Sequence, residues 1–300
     1  MFVNYTTPPD SVIKAAVHSI NYFETGNDNI DIETVEAFGE EWSKFNQFSE
    51  TEIEQLAKTH YFDIVPLDYI QNKKLLDVGC GTGRWTKYAA KYAATVDAID
   101  PSKSIVVAAE LLKDCTNIRL SRTSVNNLPF ENESFDFVFS LGVLHHIPDT
   151  ASAMQQSVNK LKKGGFFLVY LYYNLENRNS FFKWLFSLSN NIRKQICKLP
   201  PAAKNFICDI IAVFIYLPFV FVGTFIKFIG AKEFAKKIPL HFYLGKTYNV
   251  IRNDARDRFG TPLEQRFTKD EIRQMMQNCG LTEIVFSENE PYWHAIGEKN

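Results

Sequence analysis

Through the middle of the chain, short apolar runs broken by glycine clusters alternate with stretches of helical spacing. That rhythm predicts strands and helices in turn. Lys74–Val78 (KLLDV) ends on glycines and predicts a buried strand, with a helix over 84–92 behind it. Thr95–Asp100 (TVDAID) predicts a second strand, and Pro101 and Ser102 open the next helix. Asn117–Leu120 is a weak third strand and Phe135–Leu141 a strong fourth. A helix over 150–161 stops at Lys163-Gly164-Gly165, and Phe166–Tyr173 (FFLVYLYY) is the fifth strand. Thr268 and Glu271 fit a capping box for a helix that ends at Cys279-Gly280. Ile284–Ser287 and Tyr292–Gly297 complete seven strands. Alternation of this kind predicts an α/β fold with a doubly wound, mostly parallel sheet and helices on both faces. Ligands of such sheets sit at the carboxyl ends of the strands.

The two ends of that pattern differ from it. Residues 1–30 have little periodicity and predict a loose arm. Over 31–45 the spacing is helical, with Phe38, Trp42 and Phe45 on one face, and Ser49 with Glu52 opens a second helix toward Tyr61. Between strand five and the last helix, about 90 residues break the alternation. The predicted organisation is an N-terminal arm and helices (1–62), a core (63–177), a helical insertion (178–262) and a return to the core (263–300).

Composition changes the picture mainly in the insertion. At 46% apolar and 22% charged residues, the 300-residue chain is not a disordered one. A net charge of −1 gives no global pull toward nucleic acid. Charge is segregated, however. Residues 178–237 hold ten Lys or Arg against Asp209 and Glu233, so this segment is +8 and the remainder −9. Eleven of the 26 Phe fall in 181–243. Residues 210–226 carry no charge, which is the lower edge of a membrane-spanning length, but Pro218 and Gly223 interrupt them. Two apolar helices are expected there, the second starting at Pro218. They could form a lid over the active site or a basic, apolar contact with an anionic membrane surface. The five cysteines are odd in number and form no C-x-x-C pair, which favours reduced thiols in the cytoplasm. The start of the chain shows no secretory signal pattern.

The chemistry gathers at LLDVGCGTG, residues 75–83. Alternate glycines let the backbone turn tightly and let a ligand approach. A dinucleotide fingerprint would need glycine at position 84, which is Arg84. Asp100 ends the second strand, where a carboxylate can accept both hydroxyls of a ribose. These residues, with AIDPS and NLPFENESFDFVFSLGVLHHIPD further on, resemble the class I S-adenosylmethionine-dependent methyltransferases, and most the ubiquinone and menaquinone biosynthesis branch. The resemblance covers 74–173 well and 268–297 moderately, and implies a Rossmann-like fold. It implies that Gly79, Cys80, Gly81 and Gly83 line the methionine part of S-adenosylmethionine, with Asp77 beneath them. It implies Asp100 on the ribose, Pro101 and Ser102 near the adenine, Ser124 and Val125 at the adenine edge, and the backbone of Leu141 on the cofactor amine. Many relatives carry Asp where this chain has Ser124, and a hydroxyl accepts more weakly than a carboxylate.

Methyl transfer from a sulfonium is an in-line displacement that needs alignment above all. A base is needed only where the acceptor must lose a proton. His145 and His146, just past strand four, are the candidates; the alternative is that they shape the pocket. Tyr170, Tyr172 and Tyr173 are pocket candidates by position or else core. No metal-ligand spacing such as H-E-x-x-H occurs, so no metal is expected. The residues after strand four (Ser140-Leu141-Gly142-Val143) lack the Asn/Asp-Pro-Pro-aromatic motif by which methylases of base amines resemble one another, which counts against amine methylation of DNA or RNA though not against ribose or ring-carbon methylation; no nucleic-acid partner is expected. Arg252-Asn253-Asp254 and Asp257-Arg258-Phe259-Gly260 are either a salt-bridged loop or an acceptor clamp. The expected reaction is methylation at oxygen or carbon of a small lipophilic or anionic acceptor such as a quinone or isoprenoid. The alternatives are a sugar or nucleotide-sugar acceptor, and a subunit that binds the cofactor without turnover.

Overall fold

A computed structural model describes residues 1–24, 26, 28–44, 49–176, 180–235 and 238–300. Phe45 lies outside the described residues. The chain divides into two compact units, Met1–Glu176 with Leu263–Asn300, and Asn177–Pro262.

The first unit is built on a nine-stranded sheet. It opens with a hairpin, β1 (Ser11–Ala15) and β2 (His18–Tyr22), followed by α1 (Ile32–Lys44) and α2 (Glu50–Leu56). Then come β3 (Lys74–Val78), α3 (Arg84–Ala90), β4 (Thr95–Ile99), α4 (Ser104–Leu111), β5 (Ile118–Arg122), β6 (Phe135–Leu141), α5 (Thr150–Asn159) and β7 (Leu161–Tyr170). The order across the sheet is β1-β2-β5-β4-β3-β6-β7, and two strands at the end of the chain extend it beyond β7. Strands β2 to β7 pair in parallel. The apolar runs of β3, β4 and β6 are buried almost throughout, as a sheet covered on both faces requires. One core forms on each face, with Leu76, Val138 and Phe167 on one side and Leu75, Phe137 and Leu168 on the other.

Three details depart from the sequence reading. Residues 11–22 are a hairpin rather than a loose arm: β2 pairs in parallel with β5, Ile20 opposite Leu120. β7 starts at Leu161, before the glycines expected to end a helix. At Gly165 a Cβ would stand 2.7 Å from the Asp136 carbonyl, so the strand passes only with glycine there. The helix expected from Pro101 begins at Ser104, because the Ser102 backbone N–H and hydroxyl are both taken by Asp100.

The second unit is helical: α6 (Ser180–Ile196), α7 (Pro201–Ile211), α8 (Leu217–Phe228), α9 (Lys232–Ala235) and α10 (Tyr248–Gly260). Cys208, Ala212, Tyr216, Ile251 and Ala255 form its core. Asp209 on α7 accepts from Arg252 at 2.8 and 2.6 Å and from Arg256 at 2.8 and 2.8 Å, both on α10. The two arginines hold its carboxyl down at about 2, the Arg252 hydrogen bonds contributing most. Pro218 does not divide the apolar stretch into two helices. A π-turn over Ala212–Tyr216 joins α7 to α8, and Ala202–Phe228 runs as one helix of 27 residues. The wider turn, in which the Leu217 N–H reaches Ala212, relieves the clash a proline ring makes with the carbonyl four residues before it.

The chain closes in the first unit with α11 (Lys269–Asn278), β8 (Leu281–Phe286) and β9 (His294–Lys299). β9 pairs antiparallel with β7, and β8 with β9.

Candidate active site

The carboxyl ends of β3, β4 and β6 bring most of the sequence candidates together in the first unit. After β3 the chain turns through Gly79-Cys80-Gly81-Thr82-Gly83 into α3. The Gly79 and Cys80 N–H groups both donate to the Ile99 carbonyl at 2.9 Å, and Gly83 donates to Cys80 at 2.8 Å. Gly79 has φ +81°, and a Cβ there would stand 2.4 Å from Val143, so no side chain fits. At Gly81, φ is +53° and nothing lies within 4 Å of where a Cβ would be: the loop faces open space.

Asp100 ties this loop to the end of β4. Its Oδ2 accepts from the Gly81 N–H at 2.8 Å. Its Oδ1 accepts from the Ser102 N–H at 2.8 Å and hydroxyl at 2.6 Å. Oδ1 therefore uses both lone pairs and Oδ2 one, which leaves Oδ2 able to accept once more. Pro101 accepts from Arg122 through its carbonyl at 3.0 Å. Asp77 lies buried at the end of β3, where Thr86 of α3 donates to Oδ2 at 2.5 Å. Burial, reinforced by the Asp100 charge and opposed by the Thr86 hydrogen bond, pushes its carboxyl up to about 7. Burial and the same two carboxylates push the Cys80 thiol well above its ordinary range, so this sulfur is no nucleophile.

Ser124 follows β5. Its side chain is buried, and among the described residues its hydroxyl has no hydrogen-bond partner. A buried hydroxyl without a partner is costly and points to a group the protein is built to receive. Val125 beside it packs into the core with Leu128 and Phe130. Leu141 ends β6, where the Ser140 hydroxyl donates to the Val78 carbonyl at 2.8 Å and locks this strand end to the glycine loop.

The two histidines follow in a short turn, Leu144–His146, with rings 4.1 Å apart. They differ sharply. His145 is fully buried, its ring 3.8 Å from that of Tyr172, and among the described residues neither nitrogen has a hydrogen-bond partner. Burial, helped by His146 and Arg266, holds its imidazole well below the usual range, so it is neutral. His146 Nδ1 lies 2.7 Å from the Leu263 carbonyl and must donate to it, which puts the lone pair of the neutral ring on Nε2. Phe38 of α1 packs edge-on against this ring at 4.7 Å.

The three tyrosines do not act as a set. Tyr170 is in β7 and its phenol is pushed well above its ordinary range by burial. Tyr172 lies under the Arg266 guanidinium at 5.1 Å. Tyr173 bridges to Phe267 and packs on Tyr292 instead. Sequence reasoning missed Tyr61, whose half-buried ring lies 4.5 Å from Trp85 and 5.5 Å from Tyr170. It also missed Arg84, which stacks over Trp42 at 4.8 Å in the position where a dinucleotide loop has its third glycine. Only the second carried a signal, and that signal was used to exclude rather than to assign. A cavity of about 350 Å³ between Lys73, Asp136 and Lys162 lies at the opposite, amino ends of the strands.

Residues 76–169 match the model of a methyltransferase domain. The ubiquinone biosynthesis O-methyltransferase of Hydrogenovibrio crunogenus is 26% identical over 151 residues, 46% of this chain and 61% of that protein. The enzyme of the same name from Paracidovorax citrulli is 36% identical over 115 residues, 37% of this chain and 47% of that protein. The chain thus matches about half the length of these curated relatives. A SAM-dependent methyltransferase structure from Thermotoga maritima aligns over 87% of this chain and 94% of its own, with 16% identity and a TM-score of 0.45. The chain carries a class I methyltransferase domain of the S-adenosylmethionine-dependent kind, similar to that of the ubiquinone biosynthesis enzymes.

Proposed function

We propose that this protein transfers a methyl group from S-adenosylmethionine to an oxygen or carbon of a small lipophilic or anionic acceptor, as a cytoplasmic enzyme in contact with membrane. The observation that carries the cofactor part is the pairing of the open Gly81 loop with Asp100, with the unpartnered Ser124 hydroxyl at the next strand end. When bound, the cofactor supplies a methyl group activated on a sulfonium. Gly79, Cys80, Gly81 and Gly83 offer backbone along the loop; Asp77 braces it through Thr86. Asp100 accepts a ribose hydroxyl at Oδ2. Pro101 and Ser102 lie beside the adenine, Ser124 accepts from its exocyclic amine, and Val125 walls the edge. Leu141 offers backbone at the end of β6.

His146 is the base of this reading. Its ring is oriented by the hydrogen bond from Nδ1 to the Leu263 carbonyl. His145, neutral and buried against Tyr172, fixes the shape of the turn. Acceptor class rests on two supports: the O-methylating relatives, named for ubiquinone biosynthesis, and the apolar, basic second unit.

Calorimetric titration of S-adenosylmethionine tests the site. The wild type is expected to bind in the micromolar range and Asp100→Ala to bind at least about tenfold more weakly, ~1.4 kcal/mol. Equal affinity in the two would remove Asp100 from the site, and no binding by the wild type would remove the reading.

A further inference from the structure

In the second unit, the Ala202–Phe228 helix is apolar on two opposite faces, and only one of them is covered. Cys208, Ala212 and Tyr216 face the core of the unit, and Gly223 lies so close to Leu244 that a Cβ would stand 2.7 Å from it. On the other side Phe206, Phe214, Phe221 and Phe228 are 67, 73, 74 and 87% exposed. They follow one another at helical spacing along a single flank. Between Phe206 and Phe234, twelve large apolar side chains are exposed, seven of them Phe. α6 adds exposed Trp184, Leu188 and Ile192. Scattered exposed apolar residues need no explanation, but a continuous aromatic flank does.

The charges beside it say what covers it. Lys194 and Lys198 are exposed at the end of α6, and Lys227 and Lys232 at the far end of the long helix. The one acid within that helix, Asp209, is neutralised by Arg252 and Arg256. An aromatic flank bordered by lysines matches the interface of an anionic bilayer, with rings among the acyl chains and ammonium groups at the phosphates. We infer that the exposed flank of the Ala202–Phe228 helix, with α6, docks in the plane of an anionic lipid surface. This rests on the membrane contact in the function proposed above and is independent of its chemistry. At 27 residues, with a mean hydropathy of 2.4 over its most apolar 18, the helix is also long enough to span. Spanning would carry the Asp209–Arg252–Arg256 network into hydrocarbon or break it, whereas lying flat keeps it.

The test is co-sedimentation of the full chain with phosphatidylcholine vesicles, with and without about 30% phosphatidylglycerol. The expected result is binding to the anionic vesicles only, weakened by salt. Phe214→Glu/Phe221→Glu/Phe228→Glu should lower the partition coefficient at least about tenfold, and Lys227→Glu/Lys232→Glu should lower it less. Unchanged helicity by circular dichroism qualifies each variant as folded. Titration of S-adenosylmethionine into the same samples reports separately on the proposed methyl-transfer site. Absence of binding to anionic vesicles, or undiminished binding by the triple variant, would overturn the docking. A dimer lost in the triple variant, without vesicle binding, would assign the flank to a second copy. Retention in the lipid after an alkaline carbonate wash would assign a spanning helix. Both of these would overturn it too.

Discussion

At the scale of single residues, two adjacent histidines with one sequence context have opposite chemistry. His145 is neutral because it is buried against Tyr172 with Arg266 nearby; His146 is oriented by a carbonyl 117 residues away in the chain. The motif alone offered the pair without choosing between them, because neither the burial nor Leu263 is visible in it. His146→Ala is expected to lower kcat by about 10²-fold or more while the acceptor KM changes little, the pattern of a lost base. His145→Phe, which keeps the ring and the packing, should retain most of kcat. The pH profile divides the roles further. A group already neutral cannot give the acid limb of kcat, so that limb should persist in His145→Phe. Transfer of labelled methyl from S-adenosylmethionine into a membrane lipid extract measures all three, and an acid limb lost with His145 would reverse the assignment.

At the scale of elements, the glycine loop is held from two sides, by strand ends through Ile99 and by Val143 of the following turn. Gly79→Ala meets both a left-handed φ of +81° and a Cβ 2.4 Å from Val143. Together these should cost roughly 2–4 kcal/mol. Adding Val143→Ala should restore the steric share and leave the backbone share of about 1 kcal/mol or more, so the double variant lies between the single variant and the wild type. Urea unfolding of the variants checks this, and a double variant no more stable than Gly79→Ala would show that the clash is not the cost. The loop was legible in the sequence because its glycines answer local demands, and β3 and β6 were legible because both faces are buried. The N-terminal hairpin was not. β1 is exposed over Ser11–Lys14, and of β2 only Ile20 is fully buried, so no alternation marks them. What makes β2 a strand is its pairing with β5, about a hundred residues later. The continuous helix through Pro218 was hidden for a similar reason, since the π-turn that accommodates the proline has no sequence signature.

At the scale of the whole molecule, near-neutral charge conceals two opposed sets of titrating groups. Burial lifts Asp97 to about 6, against its ion pair with Arg119, and lifts Asp77 to about 7. Between about pH 4 and pH 6 each holds a proton in the native state that the unfolded chain has released. His145 works the other way, since below about pH 6.5 the unfolded chain carries a proton that the native state excludes. The native state therefore holds about one proton more, and stability falls by up to ~1.4 kcal/mol per pH unit over that window. From about pH 6 to 6.5 Asp77 and His145 cancel; above about 7 these groups add no slope. Asp63, Asp136 and Asp209 are held below the usual carboxylate range by hydrogen bonds and cations, with burial opposing in each, so their contribution is present above about pH 4 and lost below it. Stability should then peak near pH 4–5, well under the isoelectric point of 6.6. Urea midpoints should be higher at pH 5 than at pH 7.5. In Asp97→Asn one of the two extra native protons is gone, the remaining one is matched by His145, and the profile from about pH 4 to pH 6 should flatten. A midpoint that rises from pH 5 to pH 7.5 in the wild type would mean that Asp97 and Asp77 are both ionised in the folded chain and that the slope belongs to His145.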